Sequence, residues 1–416
     1  MAVAATINEF DVVIVGGSYI GLTLALALAR EVGSDLRIAV VDRAAGPAAS
    51  ESADPRASAI SAGSINLLRA LGIWQQVEDA ATPVADIELT DSSLKAGIRR
   101  PLLTYDNTAG HGEPASWILP NAELAAALER YIAASPAINR IFGASVASFE
   151  SGGARAVVGL DDGRRLETQL AIAADGRRSG LREAAGIRTV AWDYDQTGIV
   201  TTIAHESDHH NRAIQHFLPG GPFALLPLKG GHRSCITWSE NASEAKRILA
   251  LDDAAFLEEV DMRVAGRLGA VKLDGPRKSW PLEAHLARRY VATRLAIAGD
   301  AAHGVHPIGG QGLNLGFRDV AAMVECVADA ARVGLSLGDA DALDRYERWR
   351  RFDSAMSSAA YTGLNKLFSS DIALVRSARE VGLGILDKLP VVKRMLVDEA
   401  AGLSGDLPRL LRSIPA

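Results

Sequence analysis

The chain has 416 residues, of which 48% are hydrophobic and 23% are charged, and its formal net charge is −6 at pH 7. A chain of this length and composition can bury a large core, so we expect two or three interwoven lobes rather than disorder. Because the net charge is negative, the chain offers no general basic field to a phosphate backbone, which argues against a nucleic-acid partner.

The cysteines and the lengths of the apolar stretches indicate in which cellular compartment the protein is expected. The two cysteines, Cys235 and Cys326, each lie in an apolar stretch, and we expect buried, reduced thiols at both. No basic segment precedes the first apolar stretch, and no apolar stretch is long enough to span a bilayer. The sequence therefore predicts a cytoplasmic protein.

The first predicted elements are a strand, a glycine-rich turn and a helix. Residues 10–15 are apolar, the turn occupies residues 16–21, and residues 22–30 are helix formers. A second buried strand over 37–41 ends at Asp42. This order is typical of a β-α-β unit, so the chain begins with a dinucleotide site.

The turn Gly16-Gly-Ser-Tyr-Ile-Gly21 can hold a pyrophosphate with its backbone N–H groups and the helix N-terminus. Ser18 stands where the usual pattern has its second glycine, and serine fits if the backbone there is not forced to positive φ. Asp42 is placed to accept hydrogen bonds from a ribose diol. The alternative is an ordinary α/β turn with a surface aspartate. The predicted cofactor-binding residues of this unit are Gly16, Ser18, Gly21, Asp42 and Arg43.

The middle of the chain predicts a separate β-rich lobe. Helices are expected over 62–71 and 122–133, the second with Asn121 as its N-cap, and a hairpin turn at Asp161-Asp162-Gly163. The segments of the inserted mixed sheet are 197–204, 213–218, 223–228 and 234–238. After this sheet, a buried strand, a loop and a long helix are predicted from residue 294 to about 331. The predicted division is a nucleotide-binding lobe over 8–190 and 286–335, a β-rich lobe over 191–285, and a helical region over 336–416.

The helical tail has two interpretations. Apolar residues recur at helical spacing over 372–386 before Pro390 interrupts the pattern. The tail is either a packed helical cap or a face that touches a membrane or a partner protein. Basic residues near apolar ones favour the second interpretation, namely Lys388, Lys393, Arg394, Arg409 and Arg412.

Three later motifs occur in a fixed order. Ala174-Asp-Gly-Arg-Arg-Ser179 lies at the end of a buried strand and before a helical segment, and the alternative to a binding motif is a simple loop with Ser179 as a helix cap. In the segment 295–303, an apolar strand delivers Asp300 at its carboxyl end, where open α/β sheets bind ligands, although such a Gly-Asp can also be a simple turn. The third motif is His306-Pro-Ile-Gly-Gly-Gln-Gly-Leu-Asn-Leu-Gly-Phe-Arg-Asp319.

This third motif is similar, nearly residue for residue, to the signature of the ubiquinone-biosynthesis FAD-dependent hydroxylase family, within the class A aromatic flavoprotein monooxygenases. Gly309 stands where alanine is common. The first motif resembles the family's Asp-Gly motif, which touches FAD and the nicotinamide donor. The second resembles its Gly-Asp motif, whose aspartate holds the ribityl chain of FAD.

The resemblance covers about residues 8–370, because segments 54–60, 218–228 and 280–282 also match the family. It implies an α/β fold like that of p-hydroxybenzoate hydroxylase. In that fold a discontinuous, Rossmann-like FAD-binding domain carries an inserted β-rich substrate domain and a C-terminal helical region.

The resemblance also implies the cofactor contacts. Arg56 and Asn121 would lie against FAD and Pro307 against its isoalloxazine ring. Without the resemblance, a surface charge at Arg56 and a helix cap at Asn121 are the alternatives. N–H groups of the glycine-rich turn can stabilise negative charge on the pyrimidine side of the reduced flavin. The cofactor-binding residues predicted in these segments are Arg56, Asn121, Asp175, Gly299, Asp300, Pro307, Gly310, Gly312, Leu313 and Asn314.

The implied reaction is hydroxylation of an aromatic ring. NADH or NADPH is the co-substrate that reduces FAD, O2 then gives a flavin C4a-hydroperoxide, and its distal oxygen attacks an electron-rich, prenylated phenol. The protein must exclude water and place the ring carbon. No zinc-ligand spacing or Ser-His-Asp order competes with this scheme in the sequence, so no metal is expected.

The substrate is expected to face residues 215–228, which resemble the family's sheet edge above the flavin and whose apolar side chains suit a prenylated ring. The pocket candidates are Gln215, Phe217, Phe223 and Leu225. No general base is assigned. The candidates, by residue type and region alone, are His216, His303, His306 and Tyr194.

Two other functions remain open. One is hydroxylation of a small soluble aromatic acid, against which the signature over 306–319 argues. The other is a non-catalytic flavin-binding subunit of a ubiquinone-biosynthesis complex. Intact Asp175 and Asp300 argue against it, because an inert scaffold has no chemical need for them. A protein complex and a peripheral contact at the inner face of the membrane also stay open as partners.

Overall fold

The computed structural model describes residues 7–47, 54–91, 101–109, 112–368 and 390–412. Within these residues the strands form sheets of eight, nine and three strands, which confirms the α/β class.

The strands, in chain order, are β1 (Ile7–Val15), β2 (Ile38–Asp42), β3 (Ala57–Ser61), β4 (Thr82–Pro83), β5 (Asp86–Asp91), β6 (Pro101–Asp106), β7 (Ser116–Pro120), β8 (Ile138–Phe142), β9 (Val146–Gly152), β10 (Arg155–Leu160), β11 (Arg165–Ala173), β12 (Thr189–His205), β13 (Arg212–Leu218), β14 (Gly221–Pro227), β15 (Arg233–Asn241), β16 (Val271–Leu273), β17 (Lys278–Ala287), β18 (Val291–Ala292), β19 (Leu295–Ile297) and β20 (His303–Gly304).

The α-helices are α1 (Tyr19–Glu31), α2 (Ala62–Ala70), α3 (Trp74–Val77), α4 (Asn121–Ala133), α5 (Gly180–Ala184), α6 (Ala242–Leu249), α7 (Asp253–Val264), α8 (Gly312–Arg332), α9 (Ala340–Phe368) and α10 (Pro390–Ala400). Short 3-10 helices lie at Glu78–Ala80, Gly299–Ala301, Ile308–Gly310 and Arg409–Leu411.

The first sheet contains the predicted β-α-β unit. Its order is β18-β19-β11-β1-β2-β8, and β1 runs parallel to both β11 and β2. Val12, Val13 and Ile14 on β1 are fully buried, as expected for a parallel sheet covered by helices. The helix α1 connects β1 to β2, so the strand, turn and helix read from the sequence are confirmed.

The second sheet is the β-rich lobe, in the order β20-β17-β12-β15-β14-β13-β5-β6. The four strand segments predicted for the inserted sheet are confirmed as β12 to β15. One face packs against α6 and α7 through a core that includes Trp238, Phe256 and Val260. The opposite face is available to form a wall of the site.

The sheets do not follow the predicted lobe boundaries everywhere. The sequence places residues 8–190 wholly in the nucleotide-binding lobe, yet β5 pairs with β13, and β6 with β5, in the second sheet. This is a correction, and its cause is that strand pairing depends on contacts distant in sequence. The division of the chain into domains otherwise stays a prediction.

Several local features of the fold agree with the sequence and one does not. The hairpin between β10 and β11 is confirmed. Ser179 caps α5, because its side chain accepts a hydrogen bond from Arg182 N at 3.0 Å. The helix-cap interpretation of Asn121 is wrong, since Asn121 lies inside α4 and its Oδ1 accepts a hydrogen bond from Ser58 Oγ at 2.7 Å. Cys235 and Cys326 are buried free thiols, as expected.

The described part of the tail is packed against the rest of the molecule. Gly63 N of α2 donates to the Ala401 carbonyl at 2.9 Å, and Asn66 Nδ2 donates to the Leu411 carbonyl at 3.0 Å. The predicted helix over 372–386 lies outside the described residues. Pro390 begins α10 rather than only interrupting a helix, which suits a residue that needs no N–H partner in the first turn.

The basic residues of the tail are partly engaged within the chain. Arg409 Nη2 lies 2.6 Å from Asp329 Oδ1, and Arg412 Nε donates to the Leu407 carbonyl at 2.8 Å. Lys388 lies outside the described residues, whereas Arg394 is exposed. None of the helices in the described part of the chain combines the length and apolar character that crossing a bilayer requires.

Candidate active site

A cavity of about 770 Å³ lies between the two large sheets. Its walls include the carboxyl ends of β1 and β2, one face of the second sheet, and the N-termini of α1 and α8. The volume is within the roughly 300–1,000 Å³ typical of pockets that bury a ligand. The carboxyl ends of parallel strands are also where open α/β sheets bind ligands, so this cavity is the candidate site.

The glycine-rich turn forms part of the wall. Gly16 has a φ of +112°, and a Cβ there would lie 2.2 Å from the Ala174 carbonyl oxygen, so glycine is required. Ser18 has a φ of −103°, which an L-residue adopts readily, so serine fits the pattern. No side chain caps α1 at Ser18. The first N–H groups of α1 are therefore suited to an anionic ligand.

Asp42 and Arg43 line the cavity at the end of β2. Asp42 Oδ2 accepts a hydrogen bond from Gly17 N at 3.0 Å, which fixes the carboxylate beside the turn. Gly21 does not line the cavity. A Cβ on Gly21 would lie 1.8 Å from the Gly16 carbonyl oxygen, so this glycine allows α1 to pack against the turn.

Asp175 lines the cavity after β11. Its Oδ2 accepts a hydrogen bond from Gly180 N at 2.8 Å, whereas its Oδ1 is buried and has no hydrogen-bond partner among the described residues. Burial raises the pKa of this carboxyl above its ordinary value. A buried acceptor without a partner is costly unless a ligand supplies a donor, which marks Asp175 as a contact for a bound group.

Asp300 also lines the cavity, and Arg177 Nε lies 3.6 Å from its Oδ2. Two backbone contacts hold this loop. His285 Nε2 donates to the Asp300 carbonyl at 2.8 Å, and Gly299 N donates to Asp319 Oδ2 at 2.8 Å. Gly299 itself does not line the cavity, so it shapes the loop rather than the wall.

The signature motif contributes Pro307, Gly310, Gly312 and Leu313 to the cavity wall. The helix α8 begins at Gly312, and no side chain caps it at the preceding residue. Its first N–H groups are thus suited to negative charge on a ligand.

Asn314 lies outside the cavity wall, which corrects its prediction as a direct cofactor contact. Its Oδ1 accepts a hydrogen bond from Ser61 N at 3.0 Å, and its Nδ2 donates to the Ala59 carbonyl at 2.8 Å. These bonds tie the end of β3 to the start of α8. The side chain of Asn314 therefore positions the wall.

Arg56 and Asn121 both line the cavity. The Arg56 guanidinium hydrogen-bonds to Asp54 and lies 5.6 Å from the centroid of the Trp280 ring, which also lines the cavity. Arg56 is therefore held against the wall rather than only extended into solvent.

The second sheet presents one face of β13 and β14 to the cavity. Gln215 lines it as predicted, but the cavity-lining residues of β14 are Pro222, Ala224 and Leu226. The prediction for Phe223 and Leu225 is wrong. Their side chains belong to the core against α6 and α7, because successive side chains of a strand point to opposite faces.

The prediction that Phe217 lines the substrate pocket is also wrong. It is buried but is not among the residues that line the cavity.

Comparison with known proteins gives the family. A family model described as an FAD binding domain matches residues 9–356. Ubiquinone hydroxylase UbiL of Rhodospirillum rubrum is 38% identical over 408 residues, which cover 97% of this chain and 93% of that relative. This chain belongs to the FAD-dependent hydroxylases of ubiquinone biosynthesis.

Two further similarities agree with this family. The 3-demethoxyubiquinol 3-hydroxylase of Escherichia coli is 30% identical, over 94% of this chain and 98% of the relative. The crystal structure of p-nitrophenol 4-monooxygenase PnpA from Pseudomonas putida covers 96% of this chain and 99% of its own, with a TM-score of 0.78 and 19% identity. The structural similarity shows that the hydroxylase shares the fold of these monooxygenases.

FAD is the cofactor of this family, and the cavity of the hydroxylase fits it. The N-termini of α1 and α8 suit a diphosphate and the negative charge of a reduced flavin. The carboxylates of Asp42 and Asp300 suit hydroxyl groups, and the buried Oδ1 of Asp175 lacks a donor among the described residues. The binding role of each residue stays a prediction.

None of the four candidates for a general base lines the cavity. His216 is buried and hydrogen-bonds to Thr90, and His303 Nε2 lies 2.6 Å from the buried Asp319 Oδ2. Tyr194 bonds to a hydroxyl of α9. Their positions assign them to packing and to buried polar networks.

His306 belongs to such a network. Its Nδ1 accepts a hydrogen bond from Ile308 N at 3.3 Å, so the proton is on Nε2, which donates to Gln196 Oε1 at 3.1 Å. Burial lowers the pKa of His306 to about 4. The neutral ring supports the loop that carries Pro307.

Several cavity-lining residues were missed by sequence reasoning, among them Tyr105, Arg177, Val397 and Ala400. Tyr105 lies on β6, which enters the second sheet from the first predicted lobe. Val397 and Ala400 lie on α10, far along the chain from the motifs. Arg177 alone had a local signal, because it follows Asp175 within the first motif.

Proposed function

We propose that this chain hydroxylates the aromatic ring of a prenylated phenol in ubiquinone biosynthesis, with FAD as cofactor and with NADH or NADPH and O2 as co-substrates. The observation that carries the proposal is the chemistry of the cavity wall formed by the second sheet. Among the described residues, every strand side chain that this sheet presents to the cavity is uncharged. The names of the relatives in Rhodospirillum rubrum and Escherichia coli support the same substrate class.

An uncharged wall argues against the small aromatic acids. A carboxylate that leaves water needs a cation or several hydrogen-bond donors in the pocket. The cavity-lining arginines are Arg43, Arg56, Arg177 and Arg178, and none of them lies on a strand of the second sheet. A neutral ring with an apolar tail is the better match for this wall.

Different parts of the cavity wall are proposed to bind the cofactor and to exclude water from the substrate. When bound, FAD supplies the electron transfer and the oxygen activation. The N-terminus of α1 would hold the diphosphate, and Asp42 and Asp300 would accept hydrogen bonds from cofactor hydroxyl groups. The N-terminus of α8 would favour negative charge on the ring system of the cofactor. The apolar wall keeps water from the reacting ring carbon.

The proposal is tested with the purified, FAD-loaded protein. We expect a phenol with a short isoprenoid side chain to be converted, in the presence of NADH or NADPH and O2, to a product one oxygen atom heavier. Mass spectrometry measures the product and absorbance follows the nicotinamide. The Asp300→Ala variant is the control, and it should lose FAD and product together.

Other outcomes favour the alternatives. Nicotinamide oxidation without an oxygenated product, for every phenol offered, would support a non-catalytic subunit. Faster hydroxylation of a soluble aromatic acid than of the prenylated phenol would support the other enzyme class. An Asp300→Ala protein that stays yellow and fully loaded would refute the assignment of Asp300 to the cofactor.

We further propose a peripheral membrane contact through the outer face of α9. Phe352 and Met356 lie one helical turn apart and are 73% and 56% exposed. Arg348 and Arg351 are exposed beside them, so the face combines apolar and basic side chains, as interfacial helices do. Such a surface fits an anionic bilayer, from which a prenylated substrate would come.

Liposome flotation tests this contact. We expect the double variant Phe352→Ser, Met356→Ser to lose most of its binding to vesicles with anionic lipids while it retains FAD. Unchanged flotation would contradict the contact. Loss of binding to a biosynthetic partner protein, with no change in flotation, would instead assign this face to a protein complex.

A further inference from the structure

Tyr105 on β6 and Gln215 on β13 reach the cavity, and neither side chain has a hydrogen-bond partner in the described part of the chain. Ser239 and Trp280, on other strands of the second sheet, also line the cavity with polar atoms. Another polar residue of the cavity wall, Asn107, is engaged within the protein. Its Nδ2 donates to the Val84 carbonyl at 3.0 Å and to Ser116 Oγ at 3.1 Å. Unlike Asn107, Tyr105 and Gln215 therefore keep hydrogen-bonding capacity that a ligand can use.

Strand register places these two side chains on the same face. Tyr105 stands opposite Ile87 on β5, and Ile87 stands opposite Ala213 on β13. Gln215 follows Ala213 by two residues, so it points to the same side of the sheet. Neighbouring strands are ~4.8 Å apart, which puts the two backbones roughly 10 Å apart across the sheet. An aromatic ring between them is within reach of both side chains.

The immediate surroundings are apolar. Ile87, Ala213 and Ala224 line the cavity beside them, and the ring of Tyr105 packs against the cluster that contains Val397 of α10. Burial raises the pKa of Tyr105 to about 12, so its hydroxyl stays protonated and donates. The amide of Gln215 both donates and accepts. In such surroundings, polar groups without partners favour a ligand that pairs with them.

We propose that Tyr105 and Gln215 bind the oxygen substituents of the aromatic substrate and orient its ring, which selects the carbon that is hydroxylated. This inference rests on the proposed function and specifies the recognition within it. A phenol hydroxyl is both donor and acceptor, so it pairs with either side chain. The isoprenoid tail then lies along the apolar part of the wall.

The experiment compares two probes on the FAD-loaded protein, a phenol with a short isoprenoid chain and the same compound without its hydroxyl. The perturbation of the flavin spectrum gives the dissociation constant. We expect Tyr105→Phe and Gln215→Met each to weaken binding of the phenol by roughly fivefold to tenfold, the size of one hydrogen bond. Binding of the deoxy probe should not change. The variants should also hydroxylate the phenol with altered positional selectivity, measured by NMR of the products.

Matched control variants remove a tyrosine hydroxyl and a glutamine amide that lie outside the cavity. Tyr131 OH donates to the Gly72 carbonyl at 2.6 Å outside this cavity, and Gln75 is exposed. Tyr131→Phe and Gln75→Met should therefore leave the affinity for both probes unchanged. Visible absorbance verifies that each variant retains FAD.

Each outcome has one meaning. If the two cavity variants weaken both probes equally, or neither, the hydrogen-bonding role is overturned while the proposed function stands. If the wild-type protein neither binds nor hydroxylates the phenol, the proposed function fails, and this inference fails with it. If each of the two cavity variants weakens binding of the phenol and leaves binding of the deoxy probe unchanged, the inference is supported.

Discussion

Gly17 illustrates how one absent side chain shapes the cofactor cavity. A Cβ on this residue would lie 2.4 Å from Asp42 Oδ2, closer than van der Waals contact allows. We expect Gly17→Ala to displace the Asp42 carboxylate and to weaken FAD binding at least tenfold, because a hydrogen bond to a charged group is worth about 1.5–3 kcal/mol. Reconstitution of the apoprotein with FAD measures this affinity.

Gly46 provides the control for that substitution. A Cβ on Gly46 would meet no atom within 4 Å, so Gly46→Ala should bind FAD as the wild-type protein does. Equal affinities for the two variants would show that the approach of Gly17 to Asp42 is not needed.

His306 gives a residue-scale prediction about pH. Its folded pKa of about 4 lies below the ordinary value of 6.5, because burial disfavours the charged ring. As the pH falls from 6.5 to 4, the unfolded chain binds a proton that the folded protein does not. The free energy of unfolding should therefore decrease across this window, by up to about 3 kcal/mol from this residue.

The variant His306→Gln isolates that contribution. We expect its urea-unfolding midpoint to depend less on pH than that of the wild-type protein between pH 6.5 and 4. At pH 8 the ring is neutral in both states, so the difference there reports only the altered packing. Parallel pH dependences for the two proteins would contradict the assignment.

The helix α10 near the C-terminus forms part of the cavity wall and packs against the rest of the protein, so we expect it to be needed for stability. Val397 and Ala400 line the cavity, and residues 397–411 bond to α2 and to α8. We expect deletion of residues 390–416 to lower the melting temperature and the FAD content together, because it opens one wall and exposes a buried cluster. Calorimetry and visible absorbance measure both effects.

Met395 on the same helix supplies a mild comparison. Its side chain is 66% exposed, so Met395→Ser should leave both the melting temperature and the FAD content unchanged. A truncated protein that remains yellow and equally stable would show that the segment is an accessory surface.

The strand β14 explains one failure of the sequence interpretation. Its residues Gly221–Pro227 are all apolar or glycine, and nearly all are buried, so no polar alternation marks which face points to the cavity. A shift of one residue exchanges the two faces of a strand. The prediction of Phe223 and Leu225 is therefore one residue out of register with the cavity-lining Ala224 and Leu226.

At the scale of the whole molecule, the cavity joins the two lobes. The residues that line it come from the first sheet, the second sheet and the C-terminal helix, and together they enclose the site of FAD. A cofactor bound only by the folded state stabilises everything that forms its site. We expect FAD at 100 times its dissociation constant to stabilise the protein by about 2.7 kcal/mol.

Calorimetry of the apoprotein and the FAD-loaded protein tests this linkage. The melting temperature of both lobes should rise together with the FAD concentration. Two transitions, of which only one responds to FAD, would show that the second sheet folds independently of the cofactor site.

The β-α-β unit, the glycine-rich turn and the three motifs around Asp175, Asp300 and residues 306–319 could all be predicted from the amino-acid sequence alone. These features depend on backbone conformation and on neighbours a few residues away, so a linear pattern records them. The folded arrangement was needed to learn which sheet β5 and β6 join and which face of β14 meets the cavity. It also showed that Tyr105 and α10 complete the cavity wall. Those outcomes depend on pairing and burial between segments far apart in the chain, for which a local pattern contains no signal.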